Sequence, residues 1–331
     1  MPARTGYGRV VSRTICILFL GGTISASTVH EGRTVRLLGD QLVAATPGLA
    51  AVDADLEVHD LRSCPSGSLT FDHLLEVLHT ARASEADGIV VVQGTDTLEE
   101  TAYFVDLFWG DDRPVVFTGA MRGPTLAGPD GAANLLAAVQ TAADDRFRGL
   151  GVLLVLNDEI HAARFVAKRH STSPSTFVSP NAGPLGRLAE GEPRLVTTVP
   201  RNPPLPAPAR VSARVPLVVT TLGDDGTILE ALDGCDGLVV AGFGAGHVPD
   251  RLVERLGELA KRMPVVLASR TGAGPVLTHT YFAPGAETDL IARGLIPAGS
   301  LDPYKARLLL LALLSTGADH QTIAAAYRAR G

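Results

Sequence analysis

Residues 88–104, GIVVVQGTDTLEETAYF, constrain the fold more than any other stretch of the chain. Ile89, Val90, Val91 and Val92 form a short, continuous, β-branched run, the pattern of a strand covered on both faces. A Gly-Thr-Asp-Thr turn follows, and then Leu98, Ala102, Val105 and Phe108 recur at helical spacing. The turn at 94–97 is therefore predicted at a strand C-terminus facing a helix N-terminus, where open α/β sheets bind ligands. The same grammar opens the chain: the apolar run ICILFL at 15–20 breaks into Gly21, Gly22, Thr23 and Ile24. Neighbouring parallel strands present their C-terminal turns on one edge, so Thr23 and Thr95 are expected to meet although far apart in sequence.

Further strands are predicted at 114–118 and 151–156, with a helix over 131–143 between them. This βα rhythm implies a mostly parallel sheet through about residue 190. The segment 200–214, PRNPPLPAPARVSAR, is too rich in proline for a central strand and reads as an extended linker. Beyond it come strands at 216–221, 237–243 and 264–269 and a helix at 250–262. A buried helix over 303–316 and a terminal helix over 319–330, started by Asp319 as N-cap, complete the chain. The expected architecture is two α/β domains: a larger N-terminal one over 1–199 with a mostly parallel sheet and flanking helices, the linker 200–214, and a smaller parallel-sheet domain over 215–331. A chain of 331 residues exceeds the size at which single cores stop growing, roughly 250 to 300 residues.

The formal charge of −6 argues against a general polyanion partner. The three cysteines, Cys16, Cys64 and Cys235, lack metal-ligand spacing and suggest no disulfide framework. No apolar run approaches the roughly 20 residues of a membrane helix. The run at 15–20 is short and lacks a cleavage pattern, so it reads as a core strand and the chain as cytoplasmic. No metal, cofactor, nucleic acid or membrane is expected.

Five blocks in order, Gly21-Gly22-Thr23-Ile24, Gly94-Thr95-Asp96-Thr97, Gly119-Ala120-Met121-Arg122, residues 163–168 (ARFVAK) and residues 301–307 (LDPYKAR), give a chain that resembles the bacterial-type L-asparaginases over nearly its whole length. The resemblance implies hydrolysis of asparagine to aspartate and ammonia through a covalent acyl-threonine, with Thr23 as nucleophile. Thr95, Asp96 and Lys168 match the family's second triad. A threonine hydroxyl needs a base and oxyanion donors, and the N–H groups of Thr23 and Thr95 are candidates for the latter. Lys168 would help Thr95 or a water accept a proton only as a neutral amine, which burial favours and a carboxylate disfavours, so Asp96 is better read as the ligand of the substrate ammonium. Ser66, with Ser68 as the alternative register, matches the ligand of the substrate α-carboxylate, and Ala120 the carbonyl that receives the side-chain amide. The runner-up readings are a glutaminase-asparaginase, a broader amidase, or a noncatalytic binding protein using residues 242–246 (GFGAG) as an anion turn.

Each residue also has a local explanation that needs no substrate. Asp96 and Glu99 have capping-box spacing, and Lys168, Arg169 and His170 read as a solvated charge run. The chain departs from the family in three places. Residues 25–40 contain no tyrosine where many members carry one in a lid. His247 stands where an asparagine of the better-known members reaches the neighbouring subunit's site, and Thr280 and Tyr281 fall where those members carry a glutamate. His247 and Tyr281 are thus the candidates for inter-subunit contributions, since the family's sites join two subunits in a homodimer or homotetramer.

Overall fold

The computed structural model describes residues 13–30 and 33–331. In the N-terminal half the strands are β1 (Arg13–Phe19), β2 (Ala26–His30), β3 (Arg33–Arg36), β4 (Ala54–Asp60), β5 (Gly88–Val92), β6 (Val115–Thr118), β7 (Val152–Leu156), β8 (Glu159–Ala162), β9 (Ala167–Lys168), β10 (Phe177–Val178), β11 (Gly186–Ala189) and β12 (Glu192–Leu195). The helices of this half are α1 (Gly39–Ala45), α2 (Phe71–Ala83), α3 (Leu98–Phe108) and α4 (Gly131–Ala142). Eight strands form one sheet in the order β12-β11-β8-β7-β6-β5-β1-β4. β4, β1, β5, β6 and β7 run parallel, whereas β8, β11 and β12 join antiparallel. The expectation of a mostly parallel sheet thus holds for the centre and fails at one edge. There the connection between β7 and β8 turns through Asn157 and Asp158, both at positive φ, which closes a hairpin rather than a crossover.

Alternation along the central strands covers both faces. Ile15, Ile17, Val90 and Val92 pack on the α4 side with Leu135 and Val139, while Cys16, Leu18, Ile89 and Val91 pack with α2 and α3 through Leu78 and Phe104. The chain leaves β1 toward β4 on one side and returns to β5 on the other, so strand order reverses between β1 and β5. Such a reversal opens a crevice beyond the strand C-termini, and the register Phe19↔Val92 brings both Gly-Thr turns to it.

The C-terminal half holds β13 (Leu217–Val219), α5 (Thr227–Glu230), β14 (Leu238–Gly242), α6 (Val253–Ala260), β15 (Val265–Ser269), α7 (Glu287–Ala292), β16 (Ile296–Pro297), α8 (Pro303–Ser315) and α9 (His320–Arg330). Its four strands form a parallel sheet in the order β13-β14-β15-β16. Residues 200–214 carry no helix or strand. The helix expected over 250–262 divides into a 3₁₀ turn at Asp250–Leu252 and α6. The apolar α8 is buried because it lies between two layers, α3 on one side and β13, β14 and β15 on the other. Asp319 caps α9 by accepting the Thr322 N–H at 2.8 Å. Among the described residues, no helix is long and apolar enough to cross a membrane.

Candidate active site

The first turn depends on its two glycines. Gly21 and Gly22 have φ of 102° and 101°, and a Cβ on Gly22 would lie 2.3 Å from the Gly94 nitrogen. Only a residue without a side chain lets the turns after β1 and β5 pack backbone to backbone. Thr23 begins a 3₁₀ turn, Thr23–Ser25, with its side chain exposed to the crevice. Its Cγ2 is 3.6 Å from where a Cβ on Gly123 would stand, which places it beside the loop after β6. That loop is clamped by Asp130, whose carboxylate accepts the N–H groups of Met121 at 3.1 Å and Arg122 at 2.8 Å. Asn134 donates to the Gly119 carbonyl at 3.0 Å and to Asp130 at 3.1 Å. Among the described residues, the buried Ala120 has a carbonyl that accepts no hydrogen bond, and the N–H groups of Thr23 and Thr95 donate none.

The second turn carries most of the polar network. Lys168, on β9, donates from Nζ to Thr95 Oγ1 at 2.9 Å and lies 3.6 Å from Asp96 Oδ1. The lysine side chain is 16% exposed and that of Asp96 is 74% exposed, so the lysine reaches Thr95 from beneath while the carboxylate faces open space. Lys168 is therefore not part of a solvated charge run; only Arg169 and His170 are exposed. The loop after β4 crosses the end of β1, where Leu61 and Arg62 donate to the Phe19 carbonyl at 2.9 and 3.1 Å. It delivers the buried Ser66, whose Oγ accepts the Asp96 N–H at 3.1 Å and whose carbonyl accepts from Thr97 Oγ1 at 3.1 Å. Ser68, the alternative register, is exposed.

The capping box read into Asp96 and Glu99 does not form. Thr97 is the N-cap of α3 without a side-chain cap bond, and Glu99 Oε2 instead accepts the backbone N–H of Lys168 at 2.6 Å. Burial pushes the Glu99 carboxyl up to about 7, with Lys305 pulling it down and Asp302 adding to the rise. Sequence reasoning assigned Glu99 only to the local cap.

His247 and Tyr281 form a separate cluster in the C-terminal half. Residues 243–247 close a tight hairpin in which Phe243 and His247 exchange N–H···O bonds of 2.7 and 2.8 Å. Gly246 also donates to the Phe243 carbonyl, so the amides of Phe243, Gly246 and His247 are taken up within the hairpin. The His247 ring stacks edge-on against Tyr281 at 4.9 Å, and its Nε2 lies 3.2 Å from Glu287 Oε2. Glu287 was missed in the sequence. Its fully buried carboxylate accepts the N–H groups of Thr280 at 3.0 Å and Tyr281 at 2.8 Å. Burial acts to raise its titration, but these N–H donors and His247 outweigh it and hold the group below the usual carboxylate range. The one hint was its place in the acidic first turn of α7. The tyrosine-free stretch 25–40 includes residues 31 and 32, which lie outside those described, so no residue is assigned there. Among the described residues, the one trio spaced for a metal, Cys16, Glu57 and His59, sits in mid-strand on β1 and β4.

Residues 14–201 match the family model "Asparaginase, N-terminal", and residues 214–327 match "Glutaminase/Asparaginase C-terminal domain". The chain is 37% identical over 315 residues to a probable L-asparaginase of Deinococcus radiodurans, covering 93% of this chain and 95% of that one. It is 35% identical to L-asparaginase 2 of Escherichia coli (93% and 91% covered) and 32% identical to a glutaminase-asparaginase of Pseudomonas aeruginosa (93% and 88%). The crystal structure of a probable cytoplasmic L-asparaginase from Campylobacter jejuni superposes with a TM-score of 0.85 at 32% identity, covering 96% of this chain and 99% of that one. With both family models matched across most of its length, the chain belongs to the asparaginase family.

Proposed function

We propose that the protein is an L-asparagine amidohydrolase that releases aspartate and ammonia through an acyl-threonine on Thr23. The observation that carries this reading is the meeting of the two Gly-Thr turns at the strand-order reversal, with Lys168 Nζ 2.9 Å from Thr95 Oγ1. In this scheme Thr23 Oγ attacks the side-chain amide carbon and its proton passes to the leaving nitrogen, so ammonia departs and an ester remains. Water activated through Thr95 and Lys168 then adds to the ester carbon, returning the hydroxyl of Thr23 and freeing aspartate. The undonated N–H groups of Thr23 and Thr95 are suited to the oxyanion that forms in both steps. Asp96 is the ligand of the substrate ammonium, supported by its exposure, and Ser66 that of the α-carboxylate, supported by its hydrogen bond to the Asp96 N–H. The free Ala120 carbonyl is suited to the substrate amide.

A glutaminase-asparaginase is the second reading, supported by the Pseudomonas aeruginosa relative. Glutamine is longer by one methylene, worth only about 1 to 3 kcal/mol in a pocket, so the ratio must be measured. We take 200–214 as the junction between domains 1–199 and 215–331, and the protein as a cytoplasmic homodimer or homotetramer. His247 and Tyr281 are the inter-subunit candidates, a reading that the exposure of Tyr281 and its neighbour Phe282 favours. Sedimentation of the purified protein tests the assembly.

The deciding experiment is ammonia release from asparagine and glutamine by the parent, Thr23→Ala and Lys168→Met proteins. Turnover in the parent, with both variants folded and at least about 1,000-fold slower in kcat, is the expected result. Full activity in either folded variant removes that residue from the mechanism.

A further inference from the structure

The LDPYKAR block at 301–307 is part of the family resemblance, yet none of its side chains enters the chemistry described above. Its place in the structure explains it. Asp302 accepts the N–H groups of Tyr304 at 3.0 Å and Lys305 at 3.1 Å and so starts α8. Lys305 is fully buried, and its Nζ donates to the carbonyls of Val166 and of Arg164, the latter at 3.2 Å. These carbonyls belong to the segment that leads into Lys168.

That segment is weakly supported by its own secondary structure. β9 consists of Ala167 and Lys168 alone and pairs only with the two-residue β10. A lone two-residue ladder does little to fix a backbone, yet the Nζ of Lys168 must be held on Thr95 Oγ1. Glu99 supplies a second hold, accepting the Lys168 N–H at 2.6 Å from the first turn of α3, the helix that follows Thr95 and Asp96. One carboxylate thus links the turn that carries Thr95 to the backbone that carries its lysine.

We propose that Glu99 is a positioning residue for Lys168, holding its backbone at the fixed distance from Thr95 that proton transfer requires. The inference rests on the reading of Lys168 as part of the proton route. Among the described residues, the hydrogen bond of the Glu99 carboxylate goes to the Lys168 N–H and not to Thr23, Ser66 or Ala120. The charged and titratable groups around it are Glu100 on its own helix, Asp96 from the turn before it, Lys168, Arg169 and His170 on the β9 side, and Asp302, Tyr304 and Lys305 from α8 and its cap; Arg270 lines the same cleft. Burial places the titration of Glu99 near 7, so protonation in the weakly acid range turns a charge-assisted acceptor into a weaker neutral one.

The test compares kcat and KM for asparagine across pH in the parent, Glu99→Ala, Glu99→Gln and Lys168→Met, with the folded fraction measured by circular dichroism. Misplacement by about 1 Å costs on the order of 100-fold, so Glu99→Ala is expected to lose about 10- to 100-fold in kcat with KM within about 3-fold. Glu99→Gln keeps a neutral acceptor for the same N–H, like the protonated carboxyl, and is expected to recover part of that loss, to the level the parent reaches with Glu99 protonated. It is also expected to lack the acid limb near pH 7 that titration of Glu99 would give the parent's kcat. Parent-like kcat in a folded Glu99→Ala protein, or a failure of Glu99→Gln both to recover kcat and to change the acid limb, overturns the proposal. If Lys168→Met remains active, the underlying site reading fails instead, whatever the Glu99 variants do.

Discussion

At the scale of single residues the site is a problem of close approach. Gly22 sits at φ 101° with the place of its missing Cβ 2.3 Å from the Gly94 nitrogen. Any side chain there meets backbone, which cannot swing aside. Gly22→Ala should cost at least about 1 to 2 kcal/mol from the positive φ alone, and more because the turns must separate. Moving the turn also moves Thr23, so ammonia release should fall with stability. Calorimetry and the activity assay on one preparation check this, and a variant with parent-like Tm and turnover would show that the two turns do not depend on contact. The need for glycine was visible in the sequence as a Gly-Gly-Thr break after an apolar run, because turn chemistry is local. The partner of Glu99 was not visible: its carboxylate binds an amide 69 residues away, and capping-box spacing offered a nearer, wrong explanation. Glu287 was hidden for a related reason. Its role depends on three groups brought to it by a loop and a hairpin, His247, Thr280 and Tyr281.

Elements show the same division. Strands β1, β5, β6, β7, β14 and β15 were legible as continuous apolar runs because burial on both faces writes itself directly into composition. The antiparallel edge formed by β8, β11 and β12 was not, since its strands are short and partly exposed and lack that signature. The start of α9 was readable from Asp319 before its run, the Asp302 cap of α8 emerged only in the structure, and the two caps now separate stability from function. Asp319 accepts the Thr322 N–H at 2.8 Å and faces none of the site groups described. Asp302 caps α8 and also lies 3.5 Å from Lys305 Nζ. Each loses about 1 kcal/mol on replacement by alanine, within the usual range for a cap. Asp319→Ala should therefore lower Tm by a few degrees with kcat unchanged, whereas Asp302→Ala should lower both, because it frees Lys305, whose Nζ holds the Arg164 and Val166 carbonyls that lead into Lys168. Thermal melts and initial rates on the two variants decide it; equal kcat in both would confine Asp302 to capping.

For the whole molecule, two groups far apart in sequence set opposing trends of stability with pH. His161 is fully buried, with Nδ1 3.0 Å from Ser179 Oγ, and burial, then the charges of Arg187 and Lys305, lower its titration from 6.5 to about 4. Between those values the unfolded chain binds a proton that the folded chain refuses, so this stabilisation is complete above pH 6.5 and is lost as pH falls toward 4. Glu99 acts the other way. Its folded value is raised from 4.5 to about 7, so in that window the folded state holds a proton that the unfolded state has released, and stability falls as pH rises from 4.5 to 7. From pH 6.5 down to 5 the two slopes, each up to about 1.4 kcal/mol per pH unit, largely cancel. Removing one exposes the other. Glu99→Gln should therefore lose about 1 to 2 kcal/mol more than the parent on acidification from pH 6.5 to 5. The quantity to read is the difference between the two proteins in denaturant midpoints at each pH, in which carboxylates common to both drop out. A variant whose stability follows the parent's through this range would mean that Glu99 titrates in the fold as it does in the unfolded chain, and an acid limb in the parent's kcat would have to come from another group.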